Sequence, residues 1–75
     1  MVGSHEVTAL RLVVNGEERE APAGTTAREL VESFGLKPEA VVVERNEEVV
    51  KRARLAETVL APGDRIEIIQ MIAGG

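Results

Sequence analysis

The sequence predicts an α+β domain in which a mixed sheet of about five strands packs on one main helix. Three observations carry the prediction. Leu10, Leu12 and Val14 alternate with Arg11 and Val13 and run straight into Asn15-Gly16, a strand followed by a hairpin turn. Ala27, Leu30, Val31 and Phe34 fall at i, i+3, i+4 and i+7 between a capping signal and a glycine, which is one face of a helix. Short apolar runs over Ala40–Val43, Val49–Val50 and Arg65–Ile72 are then separated by turn residues.

The first strand has period 2, so Leu10, Leu12 and Val14 share one buried face. Asn15 and Gly16 both tolerate the positive φ of a type I′ turn. Glu17 to Ala21 form a short, polar return strand whose charges suit a solvated edge. Pro22, Ala23 and Gly24 break the chain. Thr26 stands three residues before Glu29, the spacing of a capping box in which each side chain serves the other's backbone amide. Gly35 closes the helix, because it enters the left-handed region without strain. Phe34, the sole aromatic residue, is expected to anchor the helix on the sheet. Ala40–Val43 is the third strand, Asn46-Glu47-Glu48 a turn and Val49–Val50 a fourth strand. One or two helical turns are expected within Leu55–Leu60. Pro62-Gly63-Asp64 is a turn, with Asp64 solvated, and Arg65–Ile72 is the last strand. The order β-β-α-β-β-β, with the late strand pairing beside the first, points to the β-grasp, the ubiquitin-like fold.

Seventy-five residues hold one domain, and 44% hydrophobic residues suffice for a modest aliphatic core. Residues 1–9 read as a flexible leader, native or left by expression, and 10–75 as the domain with a flexible tail over 72–75. There is no cysteine, which excludes disulfides, thiolate metal sites and cysteine nucleophiles. His5, the one histidine, has no partner fixed by spacing, and no metal site is expected. The net charge of −4 and the near absence of aromatic residues argue against a nucleic-acid partner. No apolar run reaches the roughly 18 residues of a membrane span, so a cytoplasmic protein, monomeric on its own, is expected.

The folded part offers no convergent polar groups for an active site, so an enzyme is not expected. The C-terminus is different. A Gly-Gly ending arises by chance in roughly one chain in two hundred, and here no charged residue follows Ile72. Two residues without Cβ thread a channel that any side chain would block. The carboxylate of Gly75 is itself a poor electrophile and requires activation, for example as an acyl-adenylate. In the last strand, inward Ile66 and Ile68 place Glu67, Ile69 and Met71 on the opposite face, where Arg11 and Val13 also point. If the first and last strands are neighbours, Val13, Ile69 and Met71 make an apolar docking patch that continues through Ile72 and Ala73 into the tail.

Val43-Glu44-Arg45-Asn46, Val50, Ala56-Glu57-Thr58-Val59-Leu60, Gly63-Asp64-Arg65-Ile66-Glu67-Ile68 and the ending Ile72-Ala73-Gly74-Gly75 resemble the ThiS family of sulfur carriers in thiamin biosynthesis. Leu12-Val13-Val14-Asn15-Gly16, Ala23-Gly24-Thr25 and Glu29-Leu30 match as well, so the likeness covers Leu10 to Gly75. Lys51 departs from it, since proline is frequent there. The resemblance implies that a partner related to the ubiquitin activators adenylates Gly75 with ATP. A sulfur donor such as a cysteine desulfurase then makes the thiocarboxylate, and a thiazole synthase takes the sulfur. Gly74 would be the slender neighbour that enters both active sites, and the carrier would be a protein co-substrate with no bound cofactor. The molybdopterin synthase small subunit shares the fold and the Gly-Gly end but carries a proline pair where Ile69-Gln70-Met71-Ile72 stands here. Carriers for cysteine synthesis or tRNA thiolation use the same terminal chemistry. A ubiquitin-like modifier conjugated to lysine is the remaining alternative, and a β-grasp RNA-binding module would need the basic, aromatic face this chain lacks.

Overall fold

The computed structural model describes residues 9–72. Five strands, β1 (Ala9–Val14), β2 (Glu17–Pro22), β3 (Val41–Arg45), β4 (Glu48–Val50) and β5 (Arg65–Gln70), form one sheet in the order β2-β1-β5-β3-β4. The helix α1 (Ala27–Ser33) covers one face. Only β1 and β5 run parallel; the other neighbours are antiparallel. This is the β-grasp that the element order implied. Ala9, assigned to the leader from the sequence, opens β1, and the rest of that leader lies outside the described residues.

Local chemistry explains the ends of the elements. The Thr26 hydroxyl accepts from the Glu29 N–H at 3.1 Å and the Glu29 carboxylate accepts from the Thr26 N–H at 3.0 Å, a complete capping box. At the other end Gly35 has φ +76°. Its N–H donates to the Glu32 carbonyl and the Leu36 N–H to the Val31 carbonyl, so the last helical carbonyls are satisfied. Two short 3-10 helices, Pro38–Ala40 and Arg52–Glu57, were not legible as such. The first takes Ala40 out of β3. The second starts earlier than the helical turns expected within Leu55–Leu60.

Leu12, Val31, Val43 and Ile66 are fully buried and form the centre of the core. Phe34 corrects the sequence reading. The helix spans only two turns, so Phe34 becomes its C-cap and leaves the buried row, 36% exposed. Its ring lies 5.0 Å from the Arg19 guanidinium of β2, and Leu36, beyond Gly35, packs against the core instead.

Both hairpin turns are bolted to β5 by an asparagine. Asn15 (φ 50°) and Asn46 (φ 52°) each hold the first turn position. The Asn15 side chain accepts from the Ile68 N–H at 2.8 Å and donates to the Ile68 carbonyl at 3.3 Å, so its amide imitates one more residue of β1. On the other side the Asn46 oxygen accepts from the Arg65 N–H at 2.9 Å. The positive φ of Asn46 and Glu47 is thereby held by tertiary bonds rather than by a glycine.

Asp64 also corrects the sequence reading: it is buried, not solvated. One carboxylate oxygen accepts from the Arg45 Nε and the Ala61 N–H, both at 2.8 Å, and the other from the Asn46 amide at 3.1 Å. Burial pushes its pKa up. The bonds from Ala61, Asn46 and Arg45, with the Arg45 charge, outweigh burial and hold it below the usual carboxylate value.

Candidate functional site: the outer sheet face and the root of the tail

The central strand β5 delivers the chain to its C-terminus, so its surroundings define what that terminus can do. β1 pairs with it only through Val13↔Arg65 and Val14↔Ile66, the Asn15 amide extends the contact to Ile68, and β3 flanks it as far as Gln70. A final bond from the Met71 N–H to the Ala40 carbonyl, 2.9 Å long, ties the strand down before the chain leaves the sheet. Ile72 is 90% exposed. Ala73, Gly74 and Gly75, the expected working end, lie outside the described residues.

Inward Ile66 and Ile68 are buried, while Ile69 and Met71 are exposed on the face opposite α1. Their outward parity is therefore as the alternation required. Val13 does not join them. The parallel register sets it beside Arg65, and Ile69 lies four residues further along β5, about 13 Å away at the usual rise. Glu67 intervenes, facing Glu44 of β3. The apolar neighbour of Ile69 is instead Val42, directly across on β3. Val41-Val42-Val43 is one apolar run in the sequence and does not single out Val42; buried Val41 and Val43 leave Val42 facing outward by alternation. The patch at the root of the tail is thus Val42, Ile69 and Met71, bordered by the Glu44–Glu67 pair and followed along the chain by exposed Ile72.

Like charges directly opposite each other in a sheet are unfavourable, and Glu44 and Glu67 are such a pair. A partner that offers a cation there relieves the repulsion and desolvates the apolar patch beside it. Among the described residues no cluster of three or more metal-ligating side chains forms. The arrangement presents the end of β5 on the sheet, with an apolar patch and a carboxylate pair beside it.

The ThiS family model matches residues 10–75. The sulfur carrier protein ThiS of Bacillus subtilis (strain 168) is 35% identical over 65 residues, 85% of this chain and 98% of that protein. The crystal structure of the thiamine biosynthesis protein (ThiS) from Geobacter metallireducens superposes with a TM-score of 0.75 at 29% identity, covering 88% of this chain and all of that one. A thiazole synthase of Magnetococcus marinus is 42% identical over 66 residues, 88% of this chain but a fifth of that much longer protein. With the family pattern running from the first strand to the final glycine over a β-grasp of matching architecture, the chain belongs to the ThiS family.

Proposed function

We propose that this chain carries sulfur for the thiazole ring of thiamin, as a thiocarboxylate on Gly75. The observation that supports the reading most is the family match extending through residue 75, which includes the Gly-Gly end that the chemistry uses. In this reading an adenylating enzyme related to the ubiquitin activators joins the Gly75 carboxylate to the α-phosphate of ATP and releases pyrophosphate. The terminal sulfur of a donor persulfide, formed on a cysteine desulfurase or its equivalent, attacks the acyl carbon and expels AMP. A thiol then cleaves the resulting acyl disulfide, which leaves the thiocarboxylate on Gly75 and a disulfide between the thiol and the donor. A thiazole synthase is the acceptor, and the relatives that bear this name while containing a segment similar to this chain favour that pairing. The chain is then a cytoplasmic co-substrate with no cofactor of its own; ATP belongs to the activating enzyme. Val42, Ile69, Met71 and Ile72 dock the carrier while Gly74 and Gly75 reach the nucleotide.

Adenylation is demanding in position, since a displacement of about 1 Å can cost roughly a hundredfold in rate. One residue appended after Gly75, or removal of Gly75, moves the carboxylate by about 3.5 Å. Neither variant is expected to be activated, although both should fold. Incubated with activating enzyme, ATP and sulfur donor, the unaltered chain should exchange one oxygen for sulfur, located in the C-terminal peptide by mass spectrometry. Joining of Gly75 to lysines without any thiocarboxylate would replace the carrier reading with that of a modifier.

A further inference from the structure

The outer edge of β2 and the groove beside it are separated from β5 by β1 and are not used in the function proposed above. Leu10, Leu12 and Val14 turn their backbone groups toward β2, because Val13 and Asn15 bond to the β5 side. Their cross-strand partners Ala21, Arg19 and Glu17 therefore face β1, and the N–H and C=O of Glu18 and Glu20 point away from the sheet. Pro22 closes this edge: it has no N–H, and its carbonyl accepts from the Thr25 N–H and hydroxyl. Between this edge and α1 runs a groove of about 800 Å³ with Ala21 and Leu30 on its floor and the partly exposed ring of Phe34 at one end.

We infer that the β2 edge is a docking site for an extended peptide segment of a partner protein, one that alternates basic and aliphatic residues and adds a sixth strand to the sheet. Among the described residues the four outward backbone groups of Glu18 and Glu20 have no partner, and they suit an extended chain. Alternation then sends every second side chain toward the groove, where Leu30 and Phe34 suit aliphatic groups. The others lie on the outer face beside Glu18 and Glu20. Among the described residues these carboxylates share one cation, Arg11, at 3.5 and 4.0 Å, in exposed pairs that water screens, so they remain available to lysine or arginine. Glu17, paired with Arg19, adds a third carboxylate to the strand.

A second copy of this chain does not fit the same edge. Two β2 strands paired about a twofold axis would bring Glu18 and Glu20 against their own counterparts, which is repulsive. Charges by themselves guard a free edge. They do not account for an aromatic ring left about one-third exposed, with only the Arg19 guanidinium over it among the described residues, at the end of a groove floored by Ala21 and Leu30. Because β1 separates β2 from β5, an occupant here leaves Ile69 and Met71 uncovered, so a partner can hold the carrier at β2 while a second one engages the β5 face. That use rests on the function proposed above; the docking site itself does not.

The test titrates the isotopically labelled full chain with a synthetic octapeptide of alternating lysine and valine, followed by NMR. The amides of Glu18 and Glu20 and the signals of Phe34 should shift, while Val42, Ile69 and Met71 stay in place. The double variant Glu18→Lys/Glu20→Lys should bind roughly tenfold more weakly, about 1.4 kcal/mol. A peptide N-methylated along its pairing edge should fail to bind, and the chain lacking Gly75 should bind as well as the intact one. No shifts, or shifts centred on Ile69 and Met71, would overturn the inference. So would equal binding of the N-methylated peptide, which would reduce the contact to charge alone. Concentration-dependent shifts at β2 without peptide would assign the edge to a second copy instead. None of these outcomes depends on whether Gly75 accepts sulfur.

Discussion

Asp64→Asn tests whether one buried carboxylate ties the two halves of the sheet to the loop before β5. The side chain of Asp64 is 8% exposed and that of Arg45 32%. Asparagine keeps the shape but has one acceptor oxygen where the carboxylate had two. If that oxygen takes the place that faces Arg45 and Ala61, the new NH₂ meets the Asn46 amide, donor against donor. Asn46 cannot turn over without losing the Arg65 N–H that its oxygen accepts. One hydrogen bond is then lost outright and two fall from charge-assisted to neutral strength, a difference of about 1 kcal/mol for each of the three. Allowing for the partial exposure of Arg45, the expected cost is about 2–3 kcal/mol at neutral pH. A 75-residue domain has roughly 4–11 kcal/mol in all, so the effect is large. The pH dependence has a defined sign. The folded pKa lies below 3.8, so the contribution is complete above the unfolded value and is lost as pH falls through the folded one. Urea denaturation of both proteins should therefore show the full difference at pH 7 and a difference that narrows as the pH falls below the unfolded value of 3.8. A variant as stable as the parent at pH 7, or a gap that does not narrow in acid, would refute the account.

Phe34→Ala should cost no more than about 1.5 kcal/mol in the same assay, against the 3–5 kcal/mol of a fully buried ring; a loss in the higher range would restore Phe34 to the core. Asn15→Ala removes both bonds to Ile68 and leaves alanine at φ 50°, for an expected loss of about 2–3 kcal/mol, with faster hydrogen exchange at the Ile68 amide as its local signature. Ile69→Asp combined with Met71→Asp should leave the unfolding midpoint nearly unchanged, because both side chains are already about half exposed, yet weaken binding to the activating enzyme at least about tenfold in titration calorimetry. Unchanged affinity would assign recognition to the tail alone.

What the sequence determined by itself was local. Asn15-Gly16 dictates a turn because both residues accept positive φ. Thr26 and Glu29 cap a helix because their spacing lets each reach the other's amide. Gly35 ends that helix for the steric reason that it has no Cβ. The alternation in Arg65–Ile72 separates buried Ile66 and Ile68 from exposed Ile69 and Met71, since successive side chains in a strand must point oppositely. The element order and the family pattern over residues 10–75 then led to the fold and to the ThiS family. Tertiary structure alone decided which residues meet. A period of two assigns Val13 to the outer face but says nothing about register, and the register places it beside Arg65 while bringing Val42 to Ile69. The helical row that includes Phe34 does not reveal that the helix ends at Ser33, which makes Phe34 its C-cap and leaves it partly exposed. Nor does Pro62-Gly63-Asp64 reveal that Arg45 and Asn46, some 18 residues upstream, close over the carboxylate. Turns and caps are settled by atoms a few bonds apart, whereas burial and cross-strand pairing depend on where distant segments of the chain come to rest.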